Sequence, residues 1–195
     1  LERAIFALTL LAALSRTELD YVFKGGTALL LHLPKPLRLS IDIDIVCATE
    51  RESLERVLDS LLEESPFTHW QEHVRGEQRL PRRLHYKFYY ASPLHPGREN
   101  HILLDVVTEQ NTLVDLIEKP IEVAFIEMSE RVTVKTPSVN ALLGDKLTAF
   151  APHTIGVPLT ERYSQQVLKQ LFDIGQLYDV VTDTAAVARA NRSSH

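Results

Sequence analysis

The sequence predicts a mixed α/β (α+β) fold, with strands and helices interleaved along most of the chain and helices alone in the last part. Three observations carry this expectation. Residues 41–46, Ile-Asp-Ile-Asp-Ile-Val, alternate with the period of a strand. Residues 51–62 follow with Leu54, Val57, Leu58, Leu61 and Leu62 at helical spacing. Two further strand-like runs, 85–91 and 101–107, flank the turn formers Ser92-Pro93-Leu94-His95-Pro96-Gly97.

In chain order, the apolar stretch 4–14 reads as an amphipathic opening helix, since a bilayer span needs about 20 apolar residues. Gly25-Gly26 precedes a short helix, and Pro34-Lys35-Pro36 turns the chain towards the strand at 41–46. A strand pair is expected near 121–126 and 131–134. Thr136 then reads as an N-cap with Pro137 in the first helical position, opening a helix to about residue 150. A last helix covers about 161–181, with Val167, Leu171, Ile174, Tyr178 and Val181 on one stripe. The chain begins at Leu1 and stops in Asn-Arg-Ser-Ser-His, which leaves room for flanking segments.

Composition narrows the function classes. The 195 residues carry 26 Asp and Glu against 21 Lys and Arg, a formal net charge of −5, which argues against nonspecific coating of nucleic acid and leaves a local basic patch. At 45% hydrophobic and 24% charged residues, the chain is neither disordered nor collagen-like. The single Cys47 cannot close an intramolecular disulfide, which suits a reducing compartment.

Asp42 and Asp44 stand two apart on a predicted strand, so both side chains leave one face. Such a pair repels itself unless a cation lies between the carboxylates or one is protonated. A carboxylate pair plus a substrate phosphate is a usual way to hold Mg²⁺. The alternative is a solvated strand face. Upstream, the glycine pair, the free amides of a helix N-terminus and the Thr27 hydroxyl suit a polyphosphate, although the P-loop pattern is absent.

Gly25-Gly26-Thr27-Ala28-Leu29, followed by Arg38, Ser40, Asp42, Ile43 and Asp44, resembles the first motif of the AbiEii/AbiGii-type nucleotidyltransferase toxins, a branch of the DNA polymerase β-like nucleotidyltransferase superfamily. The match spans Lys24 to Val46 and rests on the order of glycine pair, Arg-x-Ser and Asp-x-Asp. The resemblance implies a polymerase β-like nucleotidyltransferase core with a mixed sheet over residues 1–135, followed by a helical C-terminal part, 136–195, that completes the cleft. It implies Mg²⁺ or Mn²⁺ and an NTP, with transfer of the NMP to an acceptor hydroxyl at the tRNA 3′ end. It also implies a cytoplasmic toxin of an abortive-infection toxin–antitoxin system, with an antitoxin as partner and no membrane.

The remaining site residues follow from residues and resemblance together. Asp105 lies in the apolar run Ile102-Leu103-Leu104-Asp105-Val106-Val107, where an unpartnered carboxylate would be costly; the resemblance makes it the third metal-binding carboxylate. Lys146 rises among Leu142, Leu143, Ala149 and Phe150, where snorkelling to water is the plain account and the resemblance implies contact with the triphosphate or acceptor. Asp173 pairs by spacing with Lys169, and the resemblance adds a catalytic role. Arg38 and Ser40 join the nucleotide-binding set. Arg75, Arg79, Arg82, Arg83 and Lys87, beside Tyr86, Phe88, Tyr89 and Tyr90, suit phosphates and unpaired bases, with a solvated loop as the alternative. His69 and His73 lack convincing companions for a metal site. Two rivals stand beside this account: a catalytically silent nucleotide- or antitoxin-binding regulator, and a nucleotidyltransferase acting on a small molecule or a protein.

Overall fold

The computed structural model describes residues 1–74, 83–109, 112–123, 126, 131–150, 156–157 and 160–193. Helix α1 (Glu2–Leu14) opens the chain, and β1 (Val22–Lys24) leads directly into α2 (Gly25–His32). Next come β2 (Ile43–Val46), α3 (Arg51–Glu63), β3 (His69–Glu72), β4 (Arg83–Ala91) and β5 (Glu99–Val107). The hairpin β6 (Leu116–Pro120) and β7 (Thr133–Pro137) precedes α4 (Val139–Leu147), α5 (Ser164–Tyr178) and α6 (Thr184–Ser193).

Five strands form one sheet in the order β1-β2-β5-β4-β3. Only the β2–β5 pair is parallel; the others are antiparallel, so the sheet is mixed as expected. The period-2 pattern decides what each face carries. Ile43 and Ile45 of β2, Tyr86, Phe88 and Tyr90 of β4, and Ile102, Leu104 and Val106 of β5 are buried in the main core. Helices α1 and α3 contribute Leu8, Leu11, Leu54 and Leu58 to it. Phe6 stacks on Tyr90 at 3.6 Å between ring centroids, and the Tyr86 hydroxyl donates to Glu55 of α3. The opposite face carries Asp42 and Asp44, Asp105, His85, Lys87 and Tyr89.

The turn at 92–97 is closed by Ser92 N–H to the Arg98 carbonyl at 2.9 Å, with Gly97 at φ +83°. Several other expectations need correction. The strand pair lies at 116–120 and 133–137 rather than 121–126 and 131–134; among the described residues of the expected runs, Ile121 N–H donates to the Val132 carbonyl at 2.8 Å and an isolated bridge joins Val123 to Ile126. Thr136 and Pro137 end β7, and the true N-cap of α4 is Ser138, whose hydroxyl accepts from Ala141 N–H. β7 contains residue 135 and leads directly to α4. The helix expected at 161–181 is a 3₁₀ turn at Glu161–Tyr163 followed by α5, which ends at Tyr178, and α6 lies beyond the expected helix. Asp183 starts α6 by accepting from Ala185 and Ala186 N–H.

Helix α6 seats on α4 at Gly144, where a Cβ would lie 2.6 Å from the Val187 carbonyl oxygen and 2.7 Å from Ala190 Cβ. Among the described residues no helix is long and apolar enough to cross a membrane.

Candidate active site

Four side chains form a row across the sheet. The register sets Lys24 of β1 opposite Asp44 of β2, Asp44 opposite Asp105 of β5, and Asp105 opposite His85 of β4. The spacing of adjacent strands, about 4.8 Å, brings each side chain beside the next. Asp42 shares this face, one step before β2.

The row concentrates negative charge at its centre. Burial, then the charges of Asp105 and Asp42, push the Asp44 carboxyl up to about 7, while Lys24 and Lys146 act in the opposite sense. Lys24 Nζ also pairs with Asp145 Oδ1 of α4 at 3.1 Å, tying the end of β1 to the helical part. At the far side, His85 Nδ1 lies 2.7 Å from Asp105 Oδ1.

The glycine pair meets this chain's own side chains. Gly25, at φ +81°, has the Asp44 carboxylate directly over it: a Cβ there would overlap Asp44 Oδ2 and lie 2.6 Å from its Cγ. At Gly26 a Cβ would lie 2.9 Å from Ser40 Oγ and 3.0 Å from Arg38 Nη2. Both glycines are thus needed for close approach, by a carboxylate at the first and a hydroxyl and guanidinium at the second. Thr27 differs from expectation: it is fully buried, and its hydroxyl donates to the Asp42 carbonyl at 2.6 Å. It fixes the backbone entering β2 instead of presenting an oxygen to a ligand.

Lys146 and Asp173 meet each other rather than the water and the Lys169 that their local sequence offers. Asp173 does not pair with Lys169; it is buried and accepts both Nε and Nη2 of Arg38 at 2.7 Å, and Lys146 Nζ at 2.8 Å. Lys146 does not snorkel, having only 6% of its side chain exposed and a second bond to Gln170 Oε1 at 3.2 Å. The three charges form one buried network joining the segment before β2 to α4 and α5.

Of the basic patch, Arg75, Arg79 and Arg82 lie outside the described residues. Arg83 is exposed at the start of β4, and Lys87 is half-buried on the face that carries Asp105. The aromatic part is mostly core, because Tyr86, Phe88 and Tyr90 point into the other face and are fully buried. Only Tyr89 is on the carboxylate side, stacked on His69 at 4.5 Å.

Residue reading missed Lys24, His85 and Asp145 as parts of this constellation. Lys24 adjoins the glycine pair, which is a usable signal; His85 and Asp145 depend on strand register and helix docking. Among the described residues no group of three or more His, Cys, Asp or Glu side chains is gathered closely enough to hold a metal ion by itself. A hard cation that retains water and takes substrate oxygens needs only one or two carboxylates, and the crowded oxygen donors around Asp44 suit one.

Several solved structures share this fold. An antigenic nucleotidyltransferase-like protein from Paracoccidioides brasiliensis superposes with a TM-score of 0.59 at 15% identity, over 99% of this chain and 85% of that one. MenT4, a nucleotidyltransferase toxin from Mycobacterium tuberculosis, gives 0.59 at 18% identity, over 97% of this chain and 62% of that one. This chain thus spans less than two-thirds of the length of MenT4. No curated protein matches the sequence. The family described as nucleotidyl transferase AbiEii toxin, type IV toxin–antitoxin system, matches residues 9–193.

Fold and family together define a nucleotidyltransferase. More narrowly, the chain belongs to the AbiEii family, the nucleotidyl transferase toxins of type IV toxin–antitoxin systems.

Proposed function

We propose that this nucleotidyltransferase moves an NMP from an NTP to the hydroxyl at a tRNA 3′ end, in the cytoplasm, as a toxin restrained by an antitoxin. The observation that carries the chemistry is the row Lys24–Asp44–Asp105–His85, with Asp42 on the same face. Asp42 and Asp44, with Asp105 beside them, would hold Mg²⁺ or Mn²⁺, which when bound offsets charge on the polyphosphate.

The protein's own groups do the rest. The acceptor oxygen attacks the α-phosphorus, the α–β bridging P–O bond breaks, pyrophosphate leaves with the electron pair, and Asp105 takes the hydroxyl proton. The uncapped amides at the start of α2, at Gly25 and Gly26, point a partial positive charge at the phosphates. Lys24 and Lys146 add positive field at Asp44, and Ser40 shapes the space beside Gly26. Arg38 belongs to the nucleotide-binding set and Asp173 to the catalytic set, and the two hold Lys146 in place through the Asp173 carboxylate. Arg79, Arg82, Arg83 and Lys87 would track the acceptor's phosphates. The core is assigned to residues 1–135, and the helical part, 136–195, completes the cleft through Asp145 and Lys146.

The test is incubation with Mg²⁺, each labelled NTP and total tRNA, beside an Asp42→Asn variant. Label in tRNA from the wild type and none from the variant supports the proposal. Label in a small molecule or protein would move the acceptor; NTP binding without any transfer would contradict it.

A further inference from the structure

The assignment of Asp105 leaves open what holds its carboxylate. The torsion that turns an aspartate carboxyl is broad, with no strong intrinsic preference for one orientation. Which oxygen faces Asp44 must therefore be set by a partner. His85 is that partner's clearest candidate, because it stands directly opposite Asp105 in the β4–β5 register, with Nδ1 2.7 Å from Oδ1. Only 12% of its side chain is exposed, so the imidazole has little freedom to leave. A carboxylate that binds a cation only accepts, so in that role the bond takes its hydrogen from Nδ1.

We propose that His85 is a positioning residue for nucleotide transfer: its Nδ1–H fixes the rotation of the Asp105 carboxylate and holds it at the carboxylate row. This rests on the role given to Asp105 under the proposed function. It predicts that the bond at the Nδ1 position matters more than the imidazole as such. In His85→Asn the amide nitrogen falls near Nδ1; in His85→Gln it falls near Nε2, out of reach of Oδ1; His85→Ala removes the donor.

The experiment has three readouts. Loss of a partner that orients a ligating carboxylate costs about 10–100-fold in metal affinity or activity. His85→Gln and His85→Ala should therefore lower kcat by about that factor with little change in the KM for NTP, and His85→Asn should recover most of the loss. Mn²⁺ affinity, followed by electron paramagnetic resonance without nucleotide, should fall in the same order. In the wild type, imidazole ¹⁵N shifts should report a protonated Nδ1 that changes in Asp105→Ala.

A bare Nδ1 in the wild type overturns the proposal, even where a variant fails to fold. Equal losses in Asn and Gln, or no loss in any variant, do so as well. Failure of the wild type to transfer any nucleotide would instead tell against the proposed function, and the tautomer and Mn²⁺ affinity would still decide the role of His85.

Discussion

Asp173 of α5 accepts two hydrogen bonds from Arg38, at 2.7 Å each, from a residue 135 positions earlier in the chain. The fork geometry matches guanidinium to carboxylate, and Lys146 completes the network from α4. This is how the helical part is held against the segment that enters β2. Removing one partner of a buried pair leaves the others unpaired, at about 3–5 kcal/mol.

Asp173→Ala should therefore lower stability by about 3 kcal/mol, since Arg38 keeps partial exposure. Lys146→Met alone should also destabilise, and the double variant should lose less than the sum, with coupling above about 1 kcal/mol. Urea unfolding of the four proteins checks this. Additive losses would mean that the two charges do not act as a pair.

Gly25 supports a sharper contrast. Gly25→Ala forces a Cβ onto the Asp44 carboxylate at positive φ, whereas Gly26→Ala, without positive φ, meets Ser40 Oγ at 2.9 Å and Arg38 Nη2 at 3.0 Å, a milder overlap. Gly97→Ala has positive φ but open space, so it isolates backbone strain at about 1 kcal/mol. Gly25→Ala should cost clearly more than Gly97→Ala in thermal unfolding and should abolish transfer. Equal costs at the two positions would show that Asp44 does not need the room.

At Gly144 the neighbours include backbone atoms of α6, the Val187 carbonyl oxygen and the Asn191 nitrogen, which cannot swing aside. Gly144→Ala should thus separate α6 from α4, costing about 1–3 kcal/mol as overpacking does. Increased amide exchange confined to α4 and α6 is the expected signature. Unchanged exchange in α6 would contradict the contact.

The elements that could be read from residues were those with strong local periodicity. Ile43 and Ile45 go inward and Asp42 and Asp44 outward on alternation alone, and α3 buries Leu54, Leu58 and Leu61 as its spacing requires. Helix α5 shows the limit. Its apolar stripe predicts Leu171 and Tyr178 inside, yet these are 54% and 69% exposed, and the buried face carries Asp173 and Leu177. A non-local charge network decided its rotation, and nothing within the helix encodes Arg38. The hairpin was displaced for a related reason: β6 is half-exposed and carries Glu118 and Lys119, which blur its alternation. Within the site, the glycine pair and the Asp-x-Asp were visible as local motifs, but Thr27 gave no sign that its hydroxyl is spent on the backbone, and His85 becomes visible only through register.

The Asp44 carboxyl gives a pH dependence with a definite sign. Its folded value, about 7, lies above the ordinary aspartate value of 3.8, so the folded state binds its proton more tightly than the unfolded chain. Without metal, this group costs nothing below the unfolded value, and stability falls as pH rises from about 4 to about 7. Asp44→Asn should therefore be the more stable protein at pH 8, by about 2 kcal/mol after allowance for partial exposure. Mg²⁺ should narrow this gap by stabilising the wild type. A wild type more stable than Asp44→Asn at pH 8 without metal would show that the carboxylates do not strain the site.

Calorimetric titration with a non-hydrolysable NTP, once with Mg²⁺ and once with chelator, asks whether Asp42 and Asp44 gather a cation-bound triphosphate. Binding should require Mg²⁺ and weaken about tenfold or more in Asp42→Asn and Asp44→Asn, as loss of a metal ligand demands. Binding of equal strength with chelator present, or in both variants, would contradict it.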